Sequence, residues 1–279
     1  MIIGAHVSAA GGAINAISRA KELGITAIQI FASPPRNWNP PKITSEDALN
    51  FKKAAIENNI SHIFLHAIYL TNIASLNPFI ITKSKKSLIE YLNVSSLIGS
   101  NGVVFHSGYG SGKTFDEVKD NVIDNINEIL ENSDLKSTLI IETNAGQKNA
   151  IGASFEQIKE LINGIKSPKR IGVCLDTAHT FASGYDWVNK GAKEIINEFD
   201  QKIGLEYLKA IHCNDSKSDF NSHVDRHENI GQGKIGDKVF KELLHLESIK
   251  NIPFILETPG FANTGPDQKN IDHLKELAK

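Results

Sequence analysis

Nine residues of types that bind metal ions recur along this chain, and most of them end short apolar segments. Histidine ends three of these segments and a carboxylate ends three others. Of the remaining three, His179 follows Asp176 by three residues, and Asp225 and His227 lie in the loop after the segment that ends in His212. The nine are His66, His106, Glu142, Asp176, His179, His212, Asp225, His227 and Glu257. Imidazole and carboxylate ligands without thiolate suit Zn²⁺, with Mn²⁺ or Fe²⁺ as substitutes. The pattern therefore predicts one multi-metal site.

The prediction depends on the repeated occurrence of such residues at equivalent strand ends, since each residue alone is weak evidence. By itself, His66 is more often a hydrogen-bonded core residue than a ligand. Glu142 and Glu257 end the segments LIIE and FILE. A carboxylate ending a buried strand is costly unless it is paired or binds metal. Neither segment contains Lys or Arg, so metal binding is favoured over a salt bridge.

Two short motifs extend the set beyond the strand ends. In D-T-A-H, a turn after the strand can bring Asp176 and His179 to the same place. In D-R-H, Asp225 and His227 project to one face of an extended backbone, and Arg226 points away. Taken in isolation, D-R-H is more typical of a solvated charge cluster in a loop.

The number of ligands predicts about three ions, because a catalytic zinc commonly takes three protein ligands and leaves a position for water. One carboxylate would then bridge two ions. With about three dications, the four carboxylates and one hydroxide leave a net charge of about +1, which suits a phosphate anion. Such clusters activate water and hold the attacking and leaving oxygens of a phosphodiester.

The elements that position these residues alternate along the whole chain. Apolar segments with few charges predict eight parallel strands covered on both faces. These are residues 2–7, 27–32, 61–66, 102–106, 138–143, 172–176, 208–214 and 253–257. Helical patterns lie between them, at residues 13–23, from 45 onward, and at 83–98, 115–131, 155–165, 192–203, 237–246 and 267–277.

Eight strands alternating with eight helices predict a (β/α)₈ TIM barrel, with residues 1–279 forming a single domain. The length also permits about two domains, and an open doubly wound sheet is the alternative architecture. The missing G-x-G-x-x-G after the first strand weakens its dinucleotide-binding form. Long loops at residues 33–44 and 215–234 follow strands, which places them on the C-terminal rim where barrel active sites form.

Composition gives ordinary values for a soluble protein, with 41% hydrophobic and 22% charged residues. The net charge of −2 provides no global basic signal for nucleic acid. The two cysteines form no disulfide framework, and with no signal peptide or membrane span we expect a cytoplasmic protein. Strand parity predicts that Cys174 fills the barrel interior and that Cys213 faces the helices, both as packing residues.

The chain resembles the endonuclease IV family of metal-dependent apurinic/apyrimidinic endonucleases along essentially its whole length. Five segments, in order and at this spacing, carry the resemblance. They are GAHVSAAGG (4–12), GVCLDTAHTFASGYD (172–186), HCNDSKSDF (212–220), VDRHENIGQGKIG (224–236) and FILET (254–258). The family is a (β/α)₈ barrel with three zinc ions at its C-terminal mouth.

The resemblance implies a role for each of the nine residues. His66 and His106 would hold the first ion, and Glu142, the catalytic bridging carboxylate, would join it to the second. Asp176, His212 and Glu257 would complete the second site, and His179, Asp225 and His227 would hold the third. A hydroxide between the first two ions would attack phosphorus on the 5′ side of an abasic site, which leaves a 3′-hydroxyl and a 5′-deoxyribose phosphate. The family also trims blocked 3′ ends.

The resemblance also implies a DNA surface. Arg36, Tyr69 and Leu70 match positions that the family inserts into the base stack, although Tyr69 and Leu70 alone would read as packed rim residues. The expected partner is duplex DNA with abasic sites or blocked 3′ ends, bound by a monomer without an obligate protein partner and without a membrane. Lys148 and Ala178 depart from the family's usual Gly and Cys, and neither position is a ligand.

Two other functions remain open from the residues. A metal-dependent sugar isomerase or epimerase uses a similar barrel, but it needs one or two ions and about four to six protein ligands. A non-catalytic binder of damaged DNA would use the ions structurally. The nine-residue set, and D-R-H in particular, favours the nuclease.

Overall fold

A closed barrel of eight parallel strands forms the centre of the molecule in a computed structural model that describes residues 1–279. Each strand pairs with its neighbours in chain order, and the last pairs with the first. The closed order confirms the predicted barrel and excludes an open sheet. The barrel strands are β1 (Ile3–His6), β2 (Ala27–Ile30), β3 (His62–His66), β4 (Gly102–Phe105), β5 (Leu139–Glu142), β6 (Ile171–Asp176), β7 (Leu208–His212) and β10 (Phe254–Leu256). Between β7 and β10, β8 (Asp215–Ser216) and β9 (His227–Glu228) form a small antiparallel ribbon.

Ten α-helices accompany the strands, and none is both long and apolar enough to cross a bilayer. All eight predicted helices are present, although α3 begins five residues earlier than expected because Asn77 caps it and Pro78 suits a first turn. Two short helices, α6 and α7, were not predicted. The helices are α1 (Ile14–Leu23), α2 (Ser45–Glu57), α3 (Pro78–Ile98), α4 (Phe115–Glu131), α5 (Phe155–Asn163), α6 (Thr177–Ser183), α7 (Trp187–Lys190), α8 (Ala192–Lys202), α9 (Asp237–Leu244) and α10 (Gln268–Leu277).

Two apolar cores hold the barrel together. The larger core lies between the strands and the helices and includes Cys213. The smaller core fills the barrel interior with one side chain from each of seven strands: Ala27, Phe64, Val104, Ile140, Cys174, Ala210 and Ile255. Both cysteine placements are therefore confirmed. Burial raises the pKa of the Cys174 thiol to about 11, which suits a packing residue rather than a nucleophile.

A polar layer lies directly above the interior apolar layer. Because residues i and i+2 of a strand share one face, the residue two positions after each interior residue also points inward. On β1 the lower position is Gly4, where a Cβ would lie 2.7 Å from the Cβ of Ala27. The polar layer takes one side chain from each barrel strand or the residue after it: His6, Gln29, His66, His106, Glu142, Asp176, His212 and Glu257.

Candidate metal centre

Glu142 lies at the centre of the polar layer and contacts four imidazoles with its two carboxylate oxygens. Its Oε2 is 3.1 Å from His66 Nε2 and 3.4 Å from His106 Nε2. Its Oε1 is 3.0 Å from His212 Nδ1 and 3.3 Å from His179 Nδ1. The first candidate ion site is therefore the cluster of His66, His106 and Glu142.

A second cluster shares Glu142 and adds three residues from neighbouring strands, namely Asp176, His212 and Glu257. His212 Nδ1 is 3.2 Å from Glu257 Oε2 and 3.8 Å from Asp176 Oδ2. Glu142, Asp176 and His212 are fully buried. Three carboxylates and one imidazole thus converge in the barrel mouth, and only Glu257 among them is partly exposed to solvent.

A third cluster is built by helix α6 and by the loop that leads into β9. Asp176 is the N-cap of α6, and its Oδ1 accepts a hydrogen bond from the backbone N–H of His179 at 2.7 Å. The turn predicted for D-T-A-H is therefore the first turn of a helix. His179 Nε2 is 3.2 Å from Asp225 Oδ1 and 3.4 Å from His227 Nε2.

The third cluster differs in two respects from the grouping expected by resemblance: it includes Asp176, and Asp225 lies beside it rather than within it. Asp176 Oδ2 lies 3.6 Å from His227 Nε2, so Asp176 belongs to this cluster as well as to the second. Asp225 Oδ1 lies 3.5 Å from His227 Nε2, at the solvent side. All nine predicted residues therefore converge at one mouth: eight form three clusters joined by Glu142 and Asp176, and Asp225 lies beside the third cluster.

Hydrogen bonds fix the proton position on four of the five histidines. His66 Nδ1 donates to the Ala67 carbonyl at 2.7 Å, and His179 Nδ1 donates to the Thr143 carbonyl at 2.9 Å. His227 Nδ1 faces the carbonyl of Glu257 at 3.3 Å, and His212 Nε2 faces the amide oxygen of Gln29. Because these oxygens only accept, the other ring nitrogen of each histidine, when the ring is neutral, turns a lone pair towards the clusters, as metal-binding histidines do. His106 is the exception, since its buried Nδ1 has no partner.

This donor arrangement fits divalent cations. The lone pairs of His179 Nε2 and His227 Nε2 face each other at 3.4 Å beside Asp225. Two lone pairs next to a carboxylate repel unless a proton or a cation lies between them. The same holds around Glu142, since a buried carboxylate is unfavourable without compensating charge. Imidazole and carboxylate donors in this number suit Zn²⁺, Mn²⁺ or Fe²⁺.

The carboxylates keep their negative charge despite burial. Burial raises the pKa of Glu142, but His106 and His212 outweigh it and hold that pKa well below its usual range. Burial also opposes ionisation of Glu257, where His212 and the hydrogen bond from His6 lower the pKa by more.

The imidazoles divide into two groups. Burial lowers the pKa of His179, but Asp176 and Asp225 outweigh it and raise the pKa well above the usual value. The pKa of His212 is raised likewise, against burial, by Cys174 and the neighbouring glutamates. Burial dominates at His106 and lowers its pKa. Without ions, the mouth therefore holds protons on some imidazoles that bound cations would displace.

Four residues that the sequence analysis did not select support the ligands. His6 Nδ1 lies 3.0 Å from Glu257 Oε1, and Asn214 donates to Asp176 Oδ2 at 2.7 Å while accepting from the Glu257 N–H at 2.7 Å. Thr143 accepts from His179 through its carbonyl, and Gln29 contacts His212. His6 ends the first apolar segment as the predicted ligands end theirs, so the same signal marks it.

A groove of about 1020 Å³ opens above the clusters. Arg36, Tyr69 and Arg226 line it together with the ligands. Tyr69 is 59% exposed, and its ring centroid lies 5.2 Å from that of Phe31. Leu70 is half-buried against the core.

The long loop after β7 is ordered by a buried carboxylate, Asp215. Its oxygens accept hydrogen bonds from the backbone N–H groups of Ser216, Gly231, Gly233, Ile235 and Gly236, at distances between 2.8 and 3.5 Å. Asp215 also belongs to the ribbon strand β8, which pairs with β9. The loop that carries Arg226 and His227 is thereby tied to the barrel.

Comparison with known proteins gives matches that span the chain. A family model described as a xylose isomerase-like TIM barrel matches residues 17–277. The probable endonuclease 4 of Persephonella marina is 39% identical over 280 residues, covering 99% of this chain and 97% of that protein. The apurinic-apyrimidinic endonuclease of Caenorhabditis elegans is 38% identical, covering 92% of this chain and 66% of that protein. The crystal structure of endonuclease IV from Thermus thermophilus superposes with a TM-score of 0.88 at 31% identity, covering 99% of this chain and 98% of that one. With this identity over its full length, the chain belongs to the endonuclease IV family.

Proposed function

We propose that this chain is a DNA-repair endonuclease that hydrolyses the phosphodiester 5′ to an abasic site in duplex DNA. The products would carry a 3′-hydroxyl and a 5′-deoxyribose phosphate, and the same site would trim blocked 3′ ends. The convergence of nine imidazole and carboxylate side chains, eight in three joined clusters and Asp225 beside the third, carries the proposal. Relatives named as endonuclease 4 and as an apurinic-apyrimidinic endonuclease support a phosphodiester hydrolase. Residues 1–279 would act as one catalytic domain and as a monomer.

The three clusters define which residues would hold ions. The first ion would take His66, His106 and Glu142, and the second would take Glu142, Asp176, His212 and Glu257. The third would take Asp176, His179 and His227, with Asp225 beside it. Zn²⁺, or Mn²⁺ or Fe²⁺ in its place, would supply Lewis-acid activation of water and would neutralise charge on the phosphate oxygens.

The chain's own residues would place the scissile phosphate. Glu142 would hold two neighbouring ion sites at a fixed separation through its two oxygens. Arg36 and Arg226 line the groove and would attract the phosphate backbone. Arg36, Tyr69 and Leu70 would enter the base stack, and the exposed ring of Tyr69 supports this for the aromatic residue. An abasic nucleotide lacks stacking and pairing, so its extrusion costs less than that of an intact nucleotide.

A nicking assay with a single abasic site tests the proposal. The metal-loaded protein should cut the abasic duplex on the 5′ side and leave an intact duplex uncut. Glu142→Ala should lower this nicking activity by more than about 100-fold. Loss of a residue that only hydrogen-bonds a metal ligand already lowers metal affinity or activity by about 10–100-fold. Glu242→Ala is a matched control, since Glu242 is also a carboxylate but belongs to none of the three clusters and caps helix α8 through the N–H groups of Ala192 and Lys193.

Three outcomes would contradict parts of the proposal. If the wild type made no 5′-side nick, the nuclease activity would be wrong. Equal nicking by Glu142→Ala would remove the assigned role of that carboxylate. Metal analysis should find about three ions per chain, given about three protein ligands for each. A count near one would instead favour a sugar isomerase or epimerase. The matching family model is itself described as xylose isomerase-like.

A further inference from the structure

Gln29 is a polar residue in the middle of an otherwise apolar strand. It lies on β2 between Ile28 and Ile30, shares the inward face of Ala27, and is fully buried. Burying a side-chain amide is unfavourable unless its donors and acceptor find partners. Its position therefore calls for a specific set of hydrogen bonds.

The amide of Gln29 makes three contacts in the polar layer. Its Nε2 donates to Glu257 Oε1 at 2.6 Å and lies 3.1 Å from His6 Nδ1. Its Oε1 lies 2.9 Å from His212 Nε2. A carboxylate oxygen only accepts, so the group facing Glu257 must be the NH₂. The oxygen of the amide then faces His212 and must accept, which places the histidine proton on Nε2.

Both contacts act on donors of the second cluster. With its proton on Nε2, His212 turns the Nδ1 lone pair towards Glu142 Oε1 at 3.0 Å and Glu257 Oε2 at 3.2 Å. Glu257 Oε1 is engaged by Gln29 and His6, so its Oε2 is the oxygen left for an ion. Gln29 contacts no donor that belongs only to the first or the third cluster.

We propose that Gln29 is a positioning residue for the second metal site, where it sets the tautomer of His212 and the carboxylate orientation of Glu257. The inference rests on the proposed function, because it concerns the ions of that site. Without the amide, the neutral ring of His212 could carry its single proton on Nδ1, which faces the three carboxylates, and that proton would compete with the ion. Loss of such an outer partner lowers metal affinity by about 10–100-fold. The effect should fall on one ion out of about three.

Metal retention tests this without reference to DNA cleavage. Zinc-loaded wild type, Gln29→Met and Asn127→Leu are equilibrated with chelators of graded affinity, and zinc per chain is measured. Met keeps the length of the side chain but cannot hydrogen-bond in the same way. Asn127 is a matched control, since it is a buried amide that bonds Gly164 and Lys166, away from the mouth. Gln29→Met should lose one ion to a chelator whose zinc affinity is about 10–100-fold lower than the wild type requires. Asn127→Leu should retain the wild-type release profile.

Two results would overturn the inference. One is a Gln29→Met release profile equal to that of the wild type. The other is simultaneous loss of all ions, which would show general damage to the mouth rather than an effect on one site. If circular dichroism shows that Gln29→Met does not fold, Gln29→Ala replaces it under the same criteria. If wild-type protein retains its ions but cuts no abasic duplex, the proposed function fails while the release profiles still decide the role of Gln29.

Discussion

Removal of the metal ions should make the protein less stable as the pH rises through neutrality. In the metal-free mouth, the carboxylates around His179 and His212 outweigh burial and hold the pKa of both imidazoles well above the usual value. Glu142 raises the pKa of His66 in the same direction, also against burial. In the unfolded chain these imidazoles return to a pKa of about 6.5. The folded protein therefore retains protons that the unfolded chain releases.

The sign and size follow from this difference in bound protons. For a group with a raised pKa in the folded protein, the stabilisation is complete below pH of about 6.5 and is lost as the pH approaches the folded value. Each such imidazole contributes a slope of about −1.4 kcal/mol per pH unit in that window. His179 and His212 together give about −3 kcal/mol per pH unit, a large part of a typical unfolding free energy of about 5–15 kcal/mol.

Other titratable groups of the mouth lower the stability of the metal-free protein on the acidic side. Burial lowers the pKa of His6 and His106, so their neutral folded forms reduce stability below pH of about 6.5. The pKa values of Glu142 and Glu257 are held below the usual range, so their contribution is lost only in acid. The free energy of unfolding of the metal-free protein should therefore be greatest near pH 6.5.

Urea unfolding of chelator-treated protein at pH 6.5, 7.25 and 8 measures this slope. The zinc-loaded protein provides the first control, because bound ions replace the imidazole protons and bind more tightly as the pH rises. His245→Gln provides the second, since this exposed histidine bonds only the Lys241 carbonyl and lies outside the mouth. An unfolding free energy of metal-free protein that stays constant or increases from pH 6.5 to 8 would refute the reasoning.

Two further substitutions separate the DNA surface from the barrel. Tyr69→Ala should weaken binding of an abasic duplex by about 1–3 kcal/mol, the usual contribution of aromatic–base stacking, while zinc content stays unchanged. Binding titrations check this. If Tyr69→Ala bound the abasic duplex as tightly as the wild type, the Tyr69 ring would have no part in DNA binding. Gly4→Ala should destabilise the fold by about 1–3 kcal/mol or more in urea unfolding, because the new Cβ would lie 2.7 Å from that of Ala27. If Gly4→Ala had the same free energy of unfolding as the wild type, β1 and β2 would be able to move apart without loss of stability.

The barrel and most of the site could be predicted from sequence because both depend on local alternation. An inward residue recurs every second position of a strand, so a ligand two residues after a buried apolar side chain points into the mouth. Glu142 follows Ile140, and His212 follows Ala210, in this register. His6 carries the same signal at the end of β1, but it contacts the ligand Glu257 and belongs to none of the three clusters. The signal at Gln29 was a single polar residue in an apolar segment, which identifies a buried amide but not its partners.

Contacts that join distant segments could not be derived from local patterns. Asp215 binds backbone N–H groups up to 21 residues further along the chain, and nothing near it in sequence specifies that loop. The helix that begins after Asp176 is only seven residues long and is buried on nearly all sides, so its sequence shows no clear helical periodicity. The membership of Asp176 in two clusters likewise depends on the path of the loop that carries His227.

The same strand register controls both packing and the metal centre. If one strand slipped by a single residue, its interior apolar side chain would turn towards the helices and its ligand would leave the mouth. On β6, Cys174 fills the interior and Asp176 faces the clusters, so one register sets both. The apolar layer inside the barrel resists such a slip. A slipped strand would replace its interior side chain, which fits the barrel, by the adjacent residue of the same strand, which does not. The apolar layer resists the slip at any pH, whereas the pairing of the carboxylates with protonated imidazoles in the metal-free mouth weakens as the pH rises. The precision of the metal centre therefore derives from the uncharged layer beneath it.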